Sequence, residues 1–398
     1  MQTTADRVTT DWATSARTLY LVAMGVFLVT IIIGILNGAD AVEFDRNQIL
    51  THVHSGTVGW LTLTLVASAF LLFRATDRRL ATTLAILVPV YVLAFYTGNF
   101  AFRAIGGIAL LVAIGWLIVW LWGRYLGGER TLPRLAVTLG LTSFGYGAVI
   151  GVLIQVGLAM GIRILPGDTI GAHAASMTFG YLVLVAMGLI EWRLRDTRGL
   201  PVLGLVQVGA LFLGGLIISI SLLAGVEQAG GGLYLLTQLV AVVLFVVRIW
   251  PQALRADWMS ANPARHLALA SIWVVAALIL FMYIVFTFIT AADPESALPF
   301  NVLIASDHAV YIGVVTNIVL ALLSLLVLRG APAWVSHAVF WGVNLGLVVF
   351  VSGLLLDTAE IKRIGAPVMG ITLLVALGFL ATRAWSGLLD TAELEAPA

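Results

Sequence analysis

Twelve apolar runs, each long enough to cross a bilayer, divide this 398-residue chain almost from end to end. A spanning helix needs about 20 residues. Runs of that order lie near 17–38, 49–73, 79–97, 102–123, 134–160, 169–191, 201–224, 233–254, 265–290, 302–328, 333–356 and 365–384. Hydrocarbon offers no hydrogen bonds, so every backbone amide must be satisfied within the protein, and only helices and closed barrels can span. None of the runs alternates with period two, which excludes a barrel and leaves an all-α polytopic membrane protein of about twelve transmembrane helices. Composition agrees: only 10% of residues are charged, against about 25% in a soluble domain. The expected organisation is a single twelve-helix domain over 1–398, with cytoplasmic tails at 1–16 and 386–398.

The polar segment ahead of the first run, MQTTADRVTTDWATSAR, lacks the short apolar core and small-residue cleavage site of a signal peptide, so it reads as a retained tail. The chain has no cysteine, which removes disulfides, thiolate metal sites, iron–sulfur clusters and thioether-linked haem. A formal net charge of +1 without a basic block argues against a nucleic-acid partner. Arginine is unevenly shared between alternate loops. With the N-terminus inside, the outer segments carry only Arg46, Arg103, Arg163, Lys362 and Arg363 of the 21 basic residues, so the positive-inside rule places both termini in the cytoplasm of a bacterial-type inner membrane.

This orientation sets the depth of each histidine. His52, His54, His173 and His308 all fall in the first two turns of helices 2, 6 and 10, which enter from the outer side, whereas His266 and His337 begin helices 9 and 11 at the inner side. The histidine segments also match one another. LTHVHSGTVGWLTL beside IGAHAASMTFGYLVL pairs His52 with His173, Ser55 with Ser176, Gly59 with Gly180 and Trp60 with Tyr181. In ASDHAVYIGVV the spacing of His308 to Gly313 repeats that of His54 to Gly59. Matching elements at every fourth helix imply three pseudo-repeated groups of four, although a short match in an apolar alphabet also arises by chance.

Residues two apart on a helix differ by about 200° in direction, so His52 and His54 face different neighbours and cannot chelate one ion together. One is expected to turn toward helix 10 and His308, the other toward helix 6 and His173. Imidazoles from separate helices at one depth in an apolar bundle suit the axial positions of an iron porphyrin, and low-dielectric surroundings favour the neutral ring that ligation requires. Copper or zinc also suits imidazole, and Asp307 beside His308 could orient a ring nitrogen. The bland alternative is a hydrogen bond to a carbonyl on the next helix, which is the expectation for His266 and His337. Lys362 and Arg363, with Arg46 ahead of helix 2, read either as lipid-headgroup contacts or as counter-charges for haem propionates.

Twelve helices in three groups, histidines on helices 2, 6 and 10, and a basic pair between helices 11 and 12 resemble subunit I of the haem–copper oxidase superfamily. The C-type oxidase and nitric oxide reductase side is the nearer branch, together with the NnrS family, whose helix 2 carries a similar HxH. The helix-11 segment SHAVFWGVNLGLVVFVSG, with His337, Phe340 and Trp341, is similar to the His-Phe-Trp segment of the C-type oxidases. The resemblance implies a low-spin haem b between a helix-2 and a helix-10 histidine, matching His54 or His52 with His308. It implies a helix-6 metal ligand at His173; His52 and His173 are also candidates for holding a second haem or metal on the other side of helix 2, a rearranged use of the same scaffold. The chain departs from the pattern where Ser306 replaces a second helix-10 histidine, where Met177 replaces the Tyr or Glu after the helix-6 histidine, and in helix 7, which has no histidine.

The resulting expectation is a membrane haem-b protein, with one haem or two, for electron transfer or interaction with nitric oxide or oxygen, without a complete copper-containing oxidase site. Copper or non-haem iron is the lesser expectation. If the protein is an enzyme, it is a haem-dependent oxidoreductase of a respiratory chain, with a quinol or cytochrome donor and partner subunits in the lipid bilayer. The competing expectations are a transporter or metal-handling permease, and a cofactor-free scaffold subunit of a respiratory complex.

Overall fold

The protein is described from a computed structural model, which covers residues 4–195, 197–291, 298–327 and 332–386, with side chains from residue 11 onward. Arg329 and nearly all of the tail expected at 386–398 lie outside the described residues. Among the described residues there are helices and no strands. Twelve spans are long and apolar enough to cross a membrane: α1 (Asp11–Gly38), α2 (Arg46–Phe73), α3 (Arg78–Tyr96), α4 (Phe100–Gly127), α5 (Leu132–Met160), α6 (Thr169–Leu194), α7 (Val202–Ala224), α8 (Glu227–Ala253), α9 (Ala264–Thr290), α10 (Phe300–Val327), α11 (Ala333–Leu355) and α12 (Ala359–Ser386). The segment expected as a tail at 1–16 is instead helical from Thr4, continuous with α1. Hydropathy marks the part of a helix that crosses lipid and is blind to a polar extension.

The spans differ in how much they bury. In α2, α6 and α10, 83% of the central window is enclosed by protein, against 56% or less in the other nine. The helices that carry His52, His54, His173 and His308 are therefore the most enclosed of the twelve spans. Each of these three helices also holds a π-helical stretch, Ser55–Thr62, Thr178–Val183 and Ala309–Thr316. Superposing His52 on His173 brings Thr62 onto Val183, and superposing His54 on His308 brings Thr62 onto Thr316. The three π stretches thus end at one register, so the repeat inferred from a few matched residues is built into the backbone. Gly59, Gly180 and Gly313, the glycines that aligned in sequence, all lie inside these stretches.

Contacts group the chain into two compact units. The first comprises residues 1–99, 256–267 and 311–398. Within it α11 and α12 pack so closely that a Cβ on Gly346, Gly353 or Gly365 would collide with the backbone of Met369, Lys362 or Phe350, the small-residue packing that stands in for a hydrophobic driving force between helices in lipid. Phe27 of α1 stacks on Trp60 of α2 with ring centroids 4.5 Å apart. Trp60 Nε1 donates to Thr316 Oγ1 of α10 at 2.9 Å.

The second unit comprises residues 100–255 and 268–310. Here α6 and α7 cross at Gly180 and Gly215, where a Cβ on Gly215 would meet Gly180 Cα. Arg248 of α8 forms a buried two-pronged ion pair with Glu191 of α6 and also donates to Gln207 Oε1 of α7 at 2.6 Å. Tyr234, Ala175, Ile218 and Val285 form a core cluster in the same unit.

Candidate functional site

His52, His54, His173 and His308 fall into two structural kinds. His52 Nδ1 donates to the Thr30 carbonyl of α1 at 2.9 Å, and its ring lies against Gly34, four residues further along. His173 Nδ1 donates to the Gly147 carbonyl of α5 at 2.8 Å, and its ring lies against Gly151, again four residues further along. Each ring thus fills a glycine notch on the preceding helix. The third repeat carries Ser306 at this register, and Ser306 Oγ donates to the Ala277 carbonyl of α9 at 3.4 Å. Where the notch glycine would stand, α9 has Phe281, whose ring packs against Phe179 and Tyr234. Neighbouring contacts repeat as well: Ser55 Oγ donates to the His52 carbonyl at 3.2 Å, and Ser176 Oγ to the His173 carbonyl at 2.8 Å.

His54 and His308 behave differently. His54 Nδ1 donates to the Leu50 carbonyl at 2.8 Å and His308 Nδ1 to the Ile304 carbonyl at 2.9 Å, each one turn back on its own helix. A carbonyl only accepts, so Nδ1 carries the proton in both rings and the lone pair sits on Nε2. Both rings are half-buried, and each immediately precedes the π stretch of its helix. His54 is further clamped by α3: Phe95 stacks on it at 3.6 Å between centroids, 15° from parallel, and Tyr91 meets it edge-on at 6.3 Å. The equivalent position in α6 is Ala175, inside the apolar cluster with Tyr234.

Several expectations change at this level. His52 and His54 do face different neighbours, but His52 turns onto α1 rather than toward the sixth or tenth helix. His308 is oriented by the Ile304 carbonyl and not by Asp307, which makes no hydrogen bond among the described residues. Lys362 Nζ and Arg363 Nε both donate to Asp40, at 3.1 and 2.8 Å. Their described partner is thus a carboxylate of the α1–α2 loop, and the Arg363 hydrogen bond, followed by that of Lys362, holds the Asp40 carboxyl below its ordinary pKa. Arg46 is exposed at the first residue of α2, beside a capping box formed by Asp45 and Gln48.

His266 and His337 bond to side chains rather than to backbone carbonyls in the hydrogen bonds described. His266 Nδ1 donates to Asn317 Oδ1 at 2.8 Å, and Asn317 and Asn344 exchange hydrogen bonds at 2.8 and 3.1 Å. His337 Nδ1 accepts from Arg265 at 2.9 Å, and the Arg265 guanidinium lies over the Phe340 ring, 4.4 Å from its centroid. The buried ion pair of Glu191 with Arg248 escaped the sequence reading. Its signal was one carboxylate near the end of the otherwise apolar α6, a placement that hydrocarbon tolerates only with a partner.

Among the described residues no group of three or more His, Asp or Glu side chains is placed to hold a metal ion. His173, the helix-6 candidate, points into the α5 notch, so the side chains present do not fit a three-histidine copper centre. Taken separately, His54 and His308 each present the Nε2 lone pair that an axial haem ligand requires.

No family model and no curated protein matches the chain. Among solved structures, it is similar to a haem–copper terminal oxidase dimer determined by cryo-EM, with a TM-score of 0.57 and 11% sequence identity over 93% of this chain and 84% of that one. The likeness is one of fold: this chain has an architecture similar to that of a haem–copper terminal oxidase.

Proposed function

We propose that this chain is a membrane haem-b protein built on the oxidase fold, acting in electron transfer or in binding nitric oxide or oxygen, without a copper-containing reduction centre. The observation that carries this reading is the shared state of His54 and His308, which stand at one register of the repeat, are tied at Nδ1 to the carbonyl four residues back, and hold the lone pair on Nε2. Anchoring of the far ring nitrogen by a carbonyl is the usual way a ligating imidazole is fixed in tautomer and direction. The oxidase resemblance pairs these two residues on one iron. When bound, haem b would supply a one-electron redox centre or, with an open coordination position, a site for a diatomic gas.

The chain's own residues then have separate tasks. Phe95 and Tyr91 hold the His54 ring. His52 and His173 join α2 to α1 and α6 to α5 and are assigned to packing. Lys362 and Arg363, which carry more positive charge than Asp40 cancels, and Arg46 are the proposed counter-charge for propionates. The proposed setting is a bacterial-type inner membrane with both termini cytoplasmic and a quinol, cytochrome or partner subunit as donor, supported by the bias of arginine between alternate loops.

The test is absorbance of the purified protein before and after dithionite. A Soret band that shifts on reduction is expected, and either His54→Ala or His308→Ala should remove most of the bound haem. Haem content and reduced spectrum unchanged in both variants would overturn the axial pair, and a colourless wild-type protein would overturn the whole reading.

A further inference from the structure

Among the buried polar atoms without a hydrogen-bond partner in the second unit, Tyr234 Oη, Gln238 Oε1 and Gln238 Nε2 stand together on one helix. Both side chains lie on α8, both are 0% exposed, and residues four apart on a helix stand one above the other on one face. What surrounds them cannot satisfy them. Tyr234 is enclosed by Phe179 and Phe281, with ring centroids 6.4 and 5.7 Å away, and by Ala175, Ile218 and Val285. Gln238 presses its amide onto α7 at Gly214, where a Cβ would lie 2.5 Å from Nε2.

A phenol and a carboxamide left bare in an apolar interior are costly, and in lipid no solvent can reach them from outside. Buried water typically makes about three hydrogen bonds to groups of this kind. From these side chains we infer a resident hydration site between Tyr234 and Gln238. The ligand is neutral and both donates and accepts: it takes the Tyr234 hydroxyl or Gln238 Nε2 proton and returns one to Gln238 Oε1. No charged group lies among the enclosing residues, which argues against an ion. The site borders Ala175, the place in the second repeat where the first and third carry His54 and His308. The second group therefore keeps a small polar chamber where the other two present an imidazole. This inference does not depend on haem.

Near-isosteric variants test it in the full-length protein in lipid nanodiscs. If water bridges the pair, Tyr234→Phe and Gln238→Leu should each lower the thermal midpoint by about 2 °C or more. The double variant should lose less than the sum, because either single change already releases the bridge. If the chamber is dry, removing a bare polar atom is neutral or raises the midpoint, and that result in both single variants overturns the site. A high-resolution cryo-EM map supplies the second measurement. A discrete peak within hydrogen-bonding distance of Tyr234 Oη supports the site, while direct contact between phenol and carboxamide without such a peak overturns it.

Discussion

An imidazole in hydrocarbon must dispose of a ring proton, and this chain does so in two ways that separate four residues of identical chemistry. Where the proton goes to a carbonyl on another helix, as for His52 and His173, the ring joins two helices and fills a glycine notch. Where it goes to the carbonyl one turn back on the same helix, as for His54 and His308, the ring is oriented without tying its Nδ1 proton to a second helix. The opposition of His52 and His54 could be read from sequence, because 3.6 residues per turn sends them to different sides. Which neighbour each one met could not, since it depends on Gly34 and Gly151, two of 40 glycines. The division predicts a dissociation of effects. His173→Ala should destabilise the protein by roughly 1–3 kcal/mol by removing the hydrogen bond to the Gly147 carbonyl and emptying the Gly151 notch, while leaving the haem spectrum as in wild type. A loss of haem in His173→Ala at unchanged thermal stability would reverse the assignment.

At the scale of elements, the recurring device is the π stretch. It was invisible in sequence because a few residues at a wider turn barely disturb an apolar run, and only the glycines that aligned between helices fell within it. Such stretches are frequent at functional sites, and here two of them begin directly after His54 and His308. Their hydroxyls use the wider turn: Thr62 Oγ1 donates to the Thr57 carbonyl at 2.9 Å and Thr316 Oγ1 to the Tyr311 carbonyl at 2.7 Å, each five residues back. Thr316 has a second task as acceptor for Trp60 Nε1. Thr316→Val should therefore cost roughly 1–3 kcal/mol for the buried indole N–H it strands, and Thr316→Ser, which keeps the hydroxyl, clearly less. Chemical denaturation of the two variants compares them directly, and equal losses would mean that the Trp60 bond contributes nothing of its own.

For the molecule as a whole, the bilayer explains why architecture was legible and chemistry was not. Hydrocarbon forces twelve apolar helices into view, and an oxidase fold can persist at 11% identity because apolar residues exchange freely at such positions. Polar groups inside the bundle do not exchange freely, since each needs its own partner. The clearest case is the second unit, where Glu191 of α6, Gln207 of α7 and Arg248 of α8 meet through the two-pronged ion pair and a 2.6 Å hydrogen bond, with both charged side chains almost fully enclosed. Breaking such a pair leaves one bare charge, which typically costs about 3–5 kcal/mol, whereas replacing every member by apolar residues of similar volume is often neutral. Glu191→Gln alone should thus lower folded yield and thermal stability sharply. Glu191→Leu combined with Arg248→Met and Gln207→Leu should recover most of that loss, because nothing polar is then left behind. If the triple variant is as unstable as Glu191→Gln, the cluster holds α6, α7 and α8 in register by its specific geometry, beyond compensating its own buried charge.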